Sequence, residues 1–118
     1  MSFLIGMNGP INGCIKDNAG NKYWYRDGVL HKDGGPAIEF VNGNCMWYCD
    51  GKQHREGGPA IEVLGTYNIW VKYGRYHRED GPAMEYANGC KFWFFNGKEI
   101  KCSSQEEFER FIRLRAFW

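Results

Sequence analysis

The chain has 118 residues, enough for one domain with its own core and too few for a second catalytic domain beside it. Fifteen Lys and Arg against fourteen Asp and Glu give a formal net charge of +1, which excludes bulk attraction to phosphate polymers and makes any polyanion site a local one. Aromatic residues at 17% and 16 glycines combine bulky core material with turn formers, a mixture that predicts many short strands.

The opening Met1-Ser2-Phe3-Leu4-Ile5-Gly6-Met7 has neither the basic start nor the apolar length of a signal peptide, and nowhere do some 18 apolar residues run together. The expectation is a cytoplasmic protein with no membrane attachment. Cys14, Cys45, Cys49, Cys90 and Cys102 contain no C-x-x-C pair and no zinc-like spacing, so buried thiols in a reducing compartment are expected and no metal or other cofactor is.

Self-similarity then organises the rest of the chain. Trp24, Trp47, Trp70 and Trp93 stand 23 residues apart. The same step relates His31, His54 and His77; Lys32, Arg55 and Arg78; the three Gly-Pro-Ala triplets ending at Ala37, Ala60 and Ala83; and Glu39, Glu62 and Glu85. The resulting division is a partial unit at about 13–23, full units at 24–46, 47–69 and 70–92, and a partial unit at 93–102.

Within a unit, Ala37-Ile38-Glu39-Phe40 and Cys45-Met46-Trp47-Tyr48 are short and β-prone, with the hairpin signal Asn42-Gly43 between them. Asp27-Gly28, Asp50-Gly51, Tyr73-Gly74 and Asn96-Gly97 turn the chain again, so about seven to nine strands are predicted in an antiparallel meander. A two-residue loop at Asn42-Gly43 pairs Ile38 with Trp47, and one at Asp50-Gly51 pairs Trp47 with His54. Ile, Trp and His then share one face, with Glu39 on the other beside Met46 and Tyr48. A three-residue loop would exchange the faces of the Trp strand.

The C-terminal Ser103-Ser104-Gln105-Glu106-Glu107 contains two overlapping capping boxes, which predicts a helix over about 104–114. Phe108, Phe111 and Ile112 at helical spacing make it a cap on the end of the sheet.

The string Trp47-Tyr48, Asp50-Gly51, His54-Arg55, Gly58-Pro59-Ala60 and Glu62 resembles the 23-residue unit of MORN-like repeat proteins of bacteriophages and large DNA viruses. The resemblance covers about residues 13–118. It implies a mainly β meander of hairpin units closed by the C-terminal helix, and roles in protein assembly, dimerisation or contact with lipid head groups. It carries over no catalytic residue.

The repeated His and Glu could be read as acid/base pairs or metal ligands. A catalytic site is needed once, however, and a residue type present at every structural step is expected to do one architectural job at each. Function is therefore sought where units differ. Lys72, Tyr73, Arg75, Tyr76 and Arg78 interleave cations with aromatic rings, a pattern suited to an anionic ligand with flat rings such as a nucleotide. The expected activity is non-catalytic binding by a phage or viral accessory protein that blocks or sequesters a host-defence component, either a host protein or a small nucleotide signal. Sequence-specific nucleic-acid binding is not expected, and a homodimer or higher homo-oligomer is. The alternative is a structural self-assembly or membrane-associated scaffold module.

Overall fold

The computed structural model describes residues 11–115, so the opening segment read for a signal peptide and the last three residues lie outside it. Among the described residues fourteen short strands precede one helix: β1 (Gly13–Lys16), β2 (Lys22–Arg26), β3 (Val29–Leu30), β4 (Ile38–Glu39), β5 (Cys45–Met46), β6 (Tyr48–Cys49), β7 (Lys52–Gln53), β8 (Ile61–Val63), β9 (Tyr67–Ile69), β10 (Val71–Lys72), β11 (Arg75–Tyr76), β12 (Met84–Tyr86), β13 (Lys91–Phe95), β14 (Lys98–Ile100) and α1 (Gln105–Arg113). The protein is mainly β, with antiparallel hairpin strands and a C-terminal helix. In the main ten-stranded sheet the order is β1-β2-β4-β5-β8-β9-β12-β13-β14, with β3 beside β2, while β6-β7 and β10-β11 form two-stranded sheets. Among the described residues no helix is long and apolar enough to cross a membrane.

The strands outnumber the seven to nine expected because the chain changes partners at Trp47 and Trp70. The Trp47 N–H donates to the Ala60 carbonyl at 2.7 Å, in line with the main sheet, while its own carbonyl accepts from His54 in the next hairpin. Equivalent bonds link Trp24 with Ala37 and Trp70 with Ala83, each at 2.7 Å. One extended run is thereby split into a sheet strand and a hairpin strand.

The expected two-residue turn at Asn42-Gly43 is not formed. Phe40 N–H donates to Asn44 and Gly43 N–H to Phe40, both at 2.9 Å, bracketing a three-residue loop. Gly43 takes the left-handed position at φ 95°, and the Asn42 side chain accepts from the Asn44 N–H at 2.9 Å, so the asparagine stabilises a local side-chain turn instead of the two-residue hairpin turn. The extra loop residue shifts the register by one. Ile38 pairs with Met46, not Trp47.

This shift corrects the expected faces. Ile15, Tyr23, Ile38, Met46, Ile61, Ile69, Met84 and Phe92 form one row across successive strands. Glu39, Cys45, Glu62, Asn68, Glu85 and Lys91 form the neighbouring row on the opposite face, and Trp47, one residue beyond Met46, belongs to that second face. The expected two-residue turn at Asp50-Gly51 does form, with Tyr48 opposite Gln53, Cys49 opposite Lys52, and Asp50 and Gly51 at φ 49° and 83°.

The helix begins one residue after its N-cap Ser104, whose hydroxyl accepts from the Glu107 N–H at 3.2 Å. Phe108 and Ile112 are buried against Trp93 and Ile100 on the last hairpin, whereas Phe111, also assigned to the packed stripe, is 39% exposed. The indole N–H of Trp93 donates to Gln105 at 2.9 Å, and Gln105 in turn donates to the Glu79 carbonyl at 3.0 Å. The helix thus closes the end of the strand array.

Candidate functional site

Assigning the repeated side chains to their contacts separates scaffold from candidate site. Each repeated histidine joins its own hairpin to the tip of the next. Nδ1 of His31, His54 and His77 accepts the backbone N–H of Asp50, Tyr73 and Asn96 at 3.0, 3.1 and 3.0 Å. The opposite nitrogen meets Asp33, Glu56 or Glu79 at 2.9, 3.1 or 3.3 Å. An accepting Nδ1 puts the ring proton on Nε2, where it donates to the carboxylate.

The repeated cations lie on the repeated indoles. Lys32, Arg55 and Arg78 sit 4.1, 3.9 and 3.8 Å from the ring centres of Trp24, Trp47 and Trp70. Glu39, Glu62 and Glu85 pair with them at 3.8, 2.9 and 3.1 Å, and Arg55 and Arg78 also donate to the Pro59 and Pro82 carbonyls. The glycine of each Gly-Pro-Ala triplet leaves room for the cation. A Cβ on Gly58 would stand 2.7 Å from Cζ of Arg55, and one on Gly81 2.6 Å from Cζ of Arg78. The alanines Ala37, Ala60 and Ala83 are fully buried.

Hairpin tips form the edge on which the units differ. Gly51, Gly74 and Gly97 donate to Leu30, Gln53 and Tyr76 at 2.9, 2.8 and 2.8 Å, placing each hairpin beside the one before it. Between the first two hairpins the facing charges pair: Arg26 of the first reaches Asp50 of the second at 2.7 Å, and that bond holds the Asp50 carboxyl below the usual range.

At the third tip they do not. Lys72 stands directly opposite Arg75, and neither has a carboxylate partner among the described residues. Tyr73 occupies the left-handed position at φ 46°, where the other tips carry Asp27, Asp50 and Asn96, residue types that tolerate that conformation better. Its ring stacks on His54 with centroids 3.9 Å apart and planes 21° off parallel, and the residue is 55% exposed. Lys72, Tyr73 and Arg75, with Lys52 and Asn96 from the flanking hairpins, line a depression of about 340 Å³.

The five residues singled out in the sequence therefore divide. Lys72, Tyr73 and Arg75 come together. Tyr76 turns to Phe94, with ring centres 5.2 Å apart. Arg78 is held on Trp70 by Asp80, Pro82 and Glu85, and its bond to Asp80 lowers that carboxyl's pKa. Lys52 and Asn96 were missed because their positions follow from hairpin stacking, although Lys52 is 23 residues before Arg75 and Asn96 is 23 after Tyr73.

His31, Cys49 and Asp50 bring potential ligand atoms within 4.8 Å of one another. Both His31 nitrogens are already occupied, by the Asp50 N–H and by Asp33, so a metal would have to break the bond that anchors the tip. No family model matches the chain, and no curated protein and no solved structure is significantly similar to it.

Proposed function

We propose that the protein is a non-catalytic binding module, a meander of MORN-like 23-residue units whose third hairpin receives an anionic partner. The observation that carries this reading is the Lys72–Arg75 pair: two cations opposed across a two-stranded hairpin, in no ion pair among the described residues, beside a tyrosine in a backbone conformation that favours other residues. Natural sequences break local rules mainly where function demands it. The engagement of every repeated His, cation and Glu in scaffold contacts supports binding over catalysis. The biological purpose follows the resemblance: a phage or viral accessory protein acting in the host cytoplasm that sequesters or blocks a component of host defence.

Calorimetry with a nucleotide panel, and pull-down from host lysate, compare the parent with Lys72→Gln/Arg75→Gln. A partner bound by the parent and lost by the variant, with the melting temperature unchanged, is the expected result. A partner bound equally by both sinks the proposal. A mass above the monomer with no effect of the variant on any partner favours the self-assembly module instead.

A further inference from the structure

We propose that the third hairpin tip is a seat for a compact phosphate anion, one or two phosphate groups on a small ring-bearing molecule, and not a track for a polyanion. This rests on the anionic-partner reading above and names its ligand class.

Three cations on neighbouring strands line one depression. Lys72 on β10 faces Arg75 on β11, and β7, carrying Lys52, runs beside β10 through the bonds from Gly74 to Gln53 and from Arg55 to Val71. The depression they share, about 340 Å³, has room for one or two phosphate groups. One uncharged residue adjoins the row on each side, Cys49 before Lys52 and Phe95 after Arg75, and beyond Phe95 stands Lys98 opposite it. Phe95 lies against His77 and the Arg115 guanidinium. A polymer continuing past the row would meet the Arg26–Asp50 pair, already neutralised, on the Cys49 side.

Two features shape the seat. Tyr73 and Asn96 stand at the third and fourth tips where the first two carry Asp27 and Asp50, and Asp50, on the hairpin of Lys52, is engaged by Arg26. The stem of Arg75 lies over Gly97, where an added Cβ would come within 3.7 to 3.9 Å of its Cβ, Cγ and Cδ. Tyr73, backed by His54, supplies a rigid ring on which a base can stack beside the phosphates.

A second pair of opposed cations lies at the β1 end of the main sheet. Lys16 also faces Lys22, but Lys22 has Glu39 across its other edge. It is the natural control.

The test titrates pyrophosphate, ADP and heparin into the full chain at low salt. Expected are one pyrophosphate or one ADP per chain, affinity at least about 30-fold weaker in Lys52→Gln/Lys72→Gln/Arg75→Gln, and less than a twofold change in Lys16→Gln/Lys22→Gln. Tyr73→Leu should weaken ADP about fivefold or more and leave pyrophosphate within twofold. Heparin binding that depends on the three cations, without binding of pyrophosphate or ADP at 1 mM, overturns the compact-phosphate seat and leaves the anionic-partner reading standing. Equal binding by the parent and the triple variant for every anion overturns both.

Discussion

Arg55 and Gly58 compete for the same space: a Cβ on Gly58 would stand 2.7 Å from Cζ and 2.9 Å from Nε of the Arg55 guanidinium. The cation lies between a glycine and an indole because only a hydrogen on the glycine side lets it reach Trp47, Glu62 and the Pro59 carbonyl together.

Gly58→Ala is therefore expected to destabilise the fold by about 1–2 kcal/mol, the combined worth of a displaced cation–π contact and a charge-assisted bond. The cost should shrink to a few tenths in an Arg55→Ala background, a coupling that a double-mutant cycle by urea denaturation measures directly. Equal costs in the two backgrounds refute the shared-space account. Arg55→Lys should be mild, since Lys32 already fills this role over Trp24.

The scaffold was legible in the sequence where one contact is made several times. Trp, His, Arg and the Gly-Pro-Ala triplet recur because a stacked cation, a clamped tip and a buried alanine require those residue types. Register was not legible at Asn42-Gly43, since the same dipeptide serves a two-residue turn or the end of a three-residue loop, and the Asn42 side chain selects the latter. Two of the five residues that line the candidate site were hidden for another reason. Lys52 and Asn96 reach Lys72 through the stacking of hairpin tips, a contact between strands far apart in the chain, whereas Arg78, near in sequence, is held by Trp70.

His54→Phe should cost about 1–3 kcal/mol although it keeps an aromatic ring under Tyr73. The Tyr73 N–H would lose its acceptor at 3.1 Å and become an unsatisfied donor beneath its own side chain. Hydrogen exchange at Tyr73 reads the effect locally. Protection unchanged from the parent would show that the Nδ1 bond does not hold the tip.

Cysteine labelling tests the burial pattern through its pH dependence. Burial pushes the Cys45 thiol up, with Glu62 and Glu39 adding to it, and burial followed by Glu107 does the same at Cys102. A raised pKa leaves less thiolate in the folded chain than in the unfolded one at the same pH, so both thiols should react slowly with iodoacetamide at pH 8 while exposed Cys90 reacts first. Urea should abolish the difference. By linkage, these two groups favour folding below the ordinary thiol pKa and lose that contribution as pH rises through their folded values. Peptide-resolved mass spectrometry gives the order, and Cys45 labelled ahead of Cys90 in the folded protein would contradict the burial assigned to it.

The helix carries the end of the core, and Phe108 is its fully buried side chain. Phe108→Ala should remove about 3–5 kcal/mol, because Trp93, Ile100 and Ile112 cannot collapse into the space without parting from the last hairpin. Phe111→Ala, on a residue 39% exposed, should cost well under half of that. Denaturant midpoints compare the two directly, and similar costs would mean that the helix packs through a different face.

Lys72→Glu sets stability against binding at the candidate site. The parent holds two cations opposite each other on β10 and β11, an arrangement that is destabilising on its own, and reversing one charge converts it into an opposed ion pair with Arg75 and a neighbour for Lys52. The variant should be more stable than the parent by about 0.5–1 kcal/mol, seen as a melting temperature higher by a few degrees, with the gain shrinking as salt is added. Its affinity for pyrophosphate should fall below detection at the same time. Lys16→Glu, the matched change at the other opposed pair, should raise stability less, because Lys22 already faces Glu39. A site retained for binding at the expense of the fold predicts opposite movements of these two quantities. Lys72→Glu lowering stability while pyrophosphate binding persists would show instead that Lys72 supports the hairpin and receives no anion.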